Sequence, residues 1–206
     1  MRDKVPSSSV SARGVHAERQ ALSYAEDATN VRKLVVGTFL TLDGVMQAPG
    51  GPDEDRDGGF RHGGWLVPYF DEKFAAIMTG WTTQAGAFLL GRKTYEMFAT
   101  SWPKATDAAD ENAIALNTRP KYVASRTLDK VAWNNSHLLK GTVAEEVQKL
   151  KAQDGGEIQV HGSGDLLQTL LRHDPARLQA CRNTADGYRC CPAHVRACRR
   201  PQVRRS

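Results

Sequence analysis

The chain has 206 residues, enough for one domain of common size with tails, and a hydrophobic content of 40% supplies a core. No run approaches the ~18 apolar residues of a membrane span, and the start MRDKVPSSSVSARG lacks the apolar stretch of a secretory signal, so a cytoplasmic protein without a membrane partner is expected. The formal charge of +5 sits at the end of the chain. Residues 175–206 hold eight arginines against one acid, a net +7, which leaves −2 for residues 1–174 and excludes a phosphate-backbone footprint on the folded part.

Residues 1–30 are polar, with Ser7, Ser8 and Ser9 in a run, and read as a disordered leader. Periodicity begins at Arg32, and a valine codon at Val31 is able to serve as a bacterial start, so the leader is read as an upstream extension. An intact mass of the native product tests that reading. Residues 33–40 (KLVVGTFL) fit a buried strand, followed by the turn Thr41-Leu42-Asp43-Gly44. Residues 49–64 form a Gly-rich, charged loop. Phe70, Phe74, Ile77, Met78 and Trp81 recur at helical spacing and predict an amphipathic helix that packs on something.

Residues 87–90 (AFLL) predict a second buried strand ending at Gly91, and residues 93–98 a helix that Pro103 stops. Tyr122 to Ala124 is the heart of a third strand. Residues 142–151 predict a helix with a Thr142/Glu145 capping box, ended by Gly155-Gly156. A strand at 157–161 and a helix at 163–172 follow. Strand then helix, several times over, predicts an α/β domain over 31–174 with a largely parallel sheet covered on both faces.

Three strand ends release turns with nucleotide-binding chemistry, where parallel sheets place ligands. The first is Gly91-Arg92-Lys93-Thr94: glycine lets backbone approach a phosphate, a new helix offers free N–H groups, and Arg and Thr add a cationic fork and a hydroxyl. Ser125-Arg126-Thr127 repeats the Arg and hydroxyl pair. Gly162-Ser163-Gly164 is another cradle for a pyrophosphate. Singly, each also fits an ordinary helix start; together, in this order, they say more.

The pieces Thr41-Leu42-Asp43-Gly44-Val45, Trp65 and Pro68, Gly91-Arg92-Lys93-Thr94-Tyr95-Glu96, Ser125-Arg126 and Gly162-Ser163-Gly164 resemble the dihydrofolate reductase superfamily, in the branch of the riboflavin-biosynthesis reductase domain. The resemblance covers residues 31–174 and implies a three-layer dihydrofolate reductase-like fold with a mostly parallel central sheet. It implies NADPH as cofactor. Arg92, Lys93, Thr94, Ser125 and Arg126 then lie at the 2′-phosphate and pyrophosphate, with Gly91 at the turn. Gly162, Ser163, Gly164 and Asp165 lie at the pyrophosphate, and the loop Leu42, Asp43, Gly44, Val45, Met46 lies over the nicotinamide. The implied activity is reduction of a pteridine- or pyrimidine-like small molecule. In dihydrofolate reductases a carboxylate shortly after a Trp-x-x-Pro segment binds the pterin; here Phe70 stands two after Pro68 and Asp71 one further on. One residue on a helix is a turn of about 100°, which directs Asp71 elsewhere. The catalytic acid is left open, with Asp43 and Asp71 the candidates.

Asp53-x-Asp55-x-Asp57-Gly58 imitates the start of a calcium loop, but the twelfth position is Gly64 rather than an acid, so a solvated loop and no metal are expected. His161 and the four tryptophans read as structural. All four cysteines (Cys181, Cys190, Cys191, Cys198) lie with His194 and the arginines in residues 175–206, at spacings that match no common zinc pattern. Zinc or RNA binding through this tail, or an inactive or binding-only truncated product, are the alternatives to an enzyme. Relatives continue here with apolar strands, so the tail reads as a frame-shifted, disordered segment, with terminal strands missing and a sheet edge left unpaired. Translation of the coding DNA in the other frames tests this. A homodimer is expected if the sheet is complete.

Overall fold

The computed structural model describes residues 31–173 and, beyond them, the strands Ala180–Thr184 and Gly187–Cys191. In chain order the elements are β1 (Leu34–Gly37), α1 (Glu72–Thr82), β2 (Ala87–Gly91), α2 (Arg92–Ser101), α3 (Glu111–Thr118), β3 (Lys121–Ala124), β4 (Ser136–Leu138), α4 (Val143–Lys151), β5 (Ile158–His161) and α5 (Gly164–His173). Five strands form one sheet in the order β1-β5-β2-β3-β4, and every neighbouring pair is parallel.

The sheet is buried on both faces at its central strand β2, which is apolar throughout, and on its neighbours β5 and β3 the buried polar side chains Gln159, His161 and Lys121 are hydrogen-bonded. In β2, Ala87, Phe88, Leu89 and Leu90 are all fully buried, and the period of two in side-chain direction divides them. Leu89 joins Ile158 and Val160 of β5 against Val147 and Leu150 of α4 and Leu166 and Leu170 of α5. Phe88 and Leu90 join Val123 of β3 against Tyr95 of α2, Leu116 of α3 and Trp133. These two clusters are the two layers that the strand-helix alternation predicts.

The structure departs from the expected boundaries where tertiary packing decides. Strand β1 ends at Gly37, and Leu40, expected inside it, is 54% exposed beyond it. The apolar stripe predicted to drive α1 into the core does so only at its end: Trp81 is buried, whereas Ile77 is exposed and Phe70 precedes the helix. Trp81 lies so close to β1 that a Cβ on Gly37 would sit 2.0 Å from its Cη2, which only glycine avoids. Helix α3 and strand β4 were not anticipated. Within the tail expected to be disordered, the two described strands pair as an antiparallel hairpin; the structure describes their backbone and not the side chains of Cys181, Cys190 and Cys191 on which the zinc and RNA readings fall, and His194, Cys198 and the arginines beyond the hairpin lie outside the described residues. So does the leader, residues 1–30.

Candidate functional site

Parallel register brings the three predicted turns to one edge. Gly37 pairs with His161, Leu89 with Val160, and Gly91 with Ala124, so the chain leaves β1, β5, β2 and β3 side by side at their carboxyl ends. Gly162 is the next residue after β5 and donates its N–H to Gly37 O at 3.0 Å. Ser125 follows β3 and lies in the same row.

Two of these turns are tied together. The Gly91 N–H donates to Ser163 Oγ at 2.9 Å, Thr94 Oγ1 lies 3.1 Å from the same oxygen, and Ser163 Oγ donates to His161 O at 2.8 Å. The backbone is left-handed at both Gly162 (φ 52°) and Ser163 (φ 58°). The predicted nicotinamide loop reaches this point: a Cβ on Gly164 would lie 3.3 Å from Met46 Sδ. Gly91, Thr94, Gly162, Ser163, Gly164 and Met46 thus form one contiguous surface.

Helix starts separate into two groups. Those of α1, α3 and α4 are closed by their own N-cap side chains: Asp71 accepts from Phe74 N–H, Asp110 from Asn112 and Ala113 N–H, and Thr142 from Glu145 N–H. Helix α2 starts after Gly91 with no side-chain cap. Helix α5 starts after Ser163, whose hydroxyl is turned back to the neighbouring turn, and among the described residues no side chain accepts from its first N–H groups. The two open helix starts are the two that meet, and open starts bind anions through free N–H groups and the helix dipole.

The charged candidates are placed as follows. Arg92 is half-exposed and lies 3.6 Å from Glu96 Oε2; Arg126 is exposed two residues past the end of β3. Ser125 Oγ accepts from Thr127 and Leu128 N–H at 3.1 and 3.0 Å, fixing the turn that carries Arg126. Lys93 is turned away from the turn toward the 49–64 loop: its Nζ bonds Asp55 Oδ2 at 3.1 Å and also Asp57, and these carboxylates, Asp57 foremost, raise its pKa. Gln47 holds the same loop by donating to the carbonyls of Asp55 and Asp57. The acids of the calcium-like segment are thereby engaged: Asp53 pairs with Arg56, the other two with Lys93. Asp165 is exposed in the first turn of α5.

Of the two acid candidates, Asp71 caps α1 at 2.8 Å from Phe74 N. Asp43 is exposed, and the Thr41 hydroxyl, with a backbone hydrogen bond, holds its carboxyl below the usual range. An ionised carboxylate accepts hydrogen bonds and does not supply a proton. The turn around it is closed by Gly44 N–H to Thr41 O and Thr41 N–H to Val45 O, and leaves Leu42 fully exposed. His161 is stacked on Trp81 with centroids 4.3 Å apart, and burial lowers its pKa to about 4. Its Nε2 lies 3.1 Å from Gln159 Oε1, and Gln159 Nε2 donates to Trp81 O and Glu157. The imidazole is therefore a neutral packing group, as its strand-end position suggested. Thr38 Oγ1, one residue past β1, is buried and has no hydrogen-bond partner among the described residues.

Sequence reasoning missed Asp55, Asp57 and Gln47 as the loop's fastening, because the two carboxylates stand 38 and 36 residues from Lys93 along the chain, and the bonds from Gln47 across 8 and 10 residues of irregular loop follow no local pattern. Among the described residues no helix is long and apolar enough to cross a membrane, and no group of His, Cys, Asp and Glu is placed to hold a metal ion.

The chain is 26% identical over 142 residues, 68% of its own length and 68% of the relative's, to the uncharacterized protein YyaP of Bacillus subtilis (strain 168). Residues 32–175 match the RibD C-terminal domain, a family associated with reductase activity and NADPH binding, and the all-parallel five-stranded sheet with helices on both faces is consistent with its dihydrofolate reductase-like fold. The chain therefore belongs to the RibD C-terminal domain family.

Proposed function

We propose that the protein is an NADPH-dependent reductase of a pteridine- or pyrimidine-like small molecule, acting in chemistry like that of the riboflavin pathway. The observation that carries this reading is the meeting of two helix starts without side-chain caps, α2 and α5, at the carboxyl edge of the sheet. A pyrophosphate fits there: it takes the free N–H groups that the other helices satisfy internally. Arg92 and Arg126 serve the 2′-phosphate, which adds the charge that distinguishes NADPH from NADH, and the turn fixed by Ser125 sets the reach of Arg126. When bound, NADPH supplies the hydride. The Leu42–Met46 loop covers the nicotinamide and excludes water, with Met46 already against Gly164. Asp43, ionised, orients a substrate by accepting a hydrogen bond.

Fluorescence titration with NADPH and NADH tests the reading. Arg126→Ala is expected to weaken NADPH by ~1.5–3 kcal/mol and NADH far less, because only the former loses a charge-assisted hydrogen bond. Equal losses for both cofactors, or no binding of either by the parent chain, would sink it.

A further inference from the structure

We propose that Ser163 is a positioning residue of this cradle and not one of its ligands: its hydroxyl is saturated by the protein and fixes where Thr94 meets the cofactor. For its ligand the inference rests on the cofactor reading; for the clasp it rests on geometry alone. A hydroxyl has one hydrogen and two lone pairs. The Gly91 N–H at 2.9 Å takes one lone pair. His161 O, at 2.8 Å, only accepts, so the Ser163 hydrogen points there. Thr94 Oγ1, at 3.1 Å, must then donate into the remaining lone pair. Nothing on Ser163 is left for a phosphate.

Thr94 differs. Its hydrogen is held only by Ser163, and a phosphate oxygen, being an acceptor, draws it outward while Ser163 keeps its bonds to Gly91 and His161. The backbone supports the same division. Ser163 sits at φ 58° between two glycines, a conformation that glycine adopts without strain, so a serine there is explained by what its hydroxyl holds. The two open helix starts keep their spacing through one oxygen atom.

The test uses the full chain with Ser163→Ala, Ser163→Gly, Thr94→Val and the double variant Thr94→Val/Ser163→Ala. Both Ser163 variants are expected to bind NADPH about tenfold more weakly, the size of one well-placed hydrogen bond. They should differ in melting temperature, since only glycine relieves the strained φ. Thr94→Val should cost a similar factor alone and little more in the Ser163→Ala background, because the clasp is already open. Hydrogen exchange at the Gly91 amide should be faster in both Ser163 variants. Affinity that follows melting temperature, additive losses in the double variant, or unchanged exchange at Gly91 would each overturn the proposal. Should the parent chain not take NADPH, the cofactor reading alone falls, and the Gly91 exchange rate still decides the clasp.

Discussion

The two edges of the sheet are built to opposite rules. At the amino edge the buried cations Lys121 and Arg32 are closed off by protein. Lys121, fully buried at the start of β3, donates to Leu116 O at 2.7 Å and Arg119 O at 2.9 Å and lies 4.4 Å over the Trp133 ring. Arg32 is buried just before β1 and donates to Gly156 O at 2.6 Å. At the carboxyl edge, 4 to 5 residues along the same strands, helix starts are left without caps and two arginines reach outward. Buried charges are costly unless paired, so an edge that closes off its buried cations contributes stability, and one that leaves N–H groups open gives some of it up and keeps donors that suit an anion.

The sharpest way to break this contrast is at the closed edge. Lys121→Ala leaves two carbonyls unpaired and a cavity beside Trp133, so it should destabilise by roughly 3–4 kcal/mol in urea unfolding while the folded fraction keeps its NADPH affinity. Lost affinity at unchanged stability would place Lys121 at the wrong edge.

Acid comes next. His161 has a folded pKa of about 4 against the usual 6.5. The unfolded chain binds the proton more readily, so this contribution is complete above pH 6.5 and is lost as pH falls toward 4, roughly 3 kcal/mol at most. Urea midpoints measured at pH 7 and pH 4.5 should show the drop, and His161→Phe should flatten it. For Lys121 the window is alkaline: with its pKa lowered to about 8 by burial, stability should rise as pH climbs from 8 to 10.5.

A smaller effect sharpens the comparison of helix starts. Thr142→Ala removes the α4 cap and should cost ~1 kcal/mol with no change in NADPH binding. If it weakened the cofactor, the division between capped and open starts would lose its meaning. Smallest of all is Lys93→Gln. Exposed pairs contribute ~0–1 kcal/mol, so melting should barely move, but the loop loses its fastening and trypsin should cut after Arg56 several times faster.

Most of the architecture was legible in the sequence because β2 is a short, wholly apolar run, AFLL, that stops at Gly91, and β5, IQVH, is a short run with Ile158 and Val160 at alternate positions that stops just before Gly162. Helix α3 was not, since its residues ENAIALNT carry little amphipathic signal; only Asp110 in front of it, which caps it, marked a start. Strand β4 has three residues, one of them the exposed His137, too few to establish a period of two. At the site, the three turns could be read because glycines and hydroxyls at strand ends are local signals. The direction of the Ser163 hydroxyl could not, because its partner Gly91 is 72 residues away, and a serine before a helix ordinarily caps that helix. Lys93 sat inside the most recognisable motif and yet serves a loop 36 to 38 residues upstream.

The contact between Gly37 and the Trp81 indole has a consequence for how this sequence can change over time. Any side chain gained at position 37 would push the indole off its place, and the imidazole stacked on it, the amide bonded to that imidazole and the turn that begins one residue later would follow. Edge strand, first helix and phosphate turn are therefore mutationally coupled: bulk can enter at 37 only in lineages that have already given it up at 81.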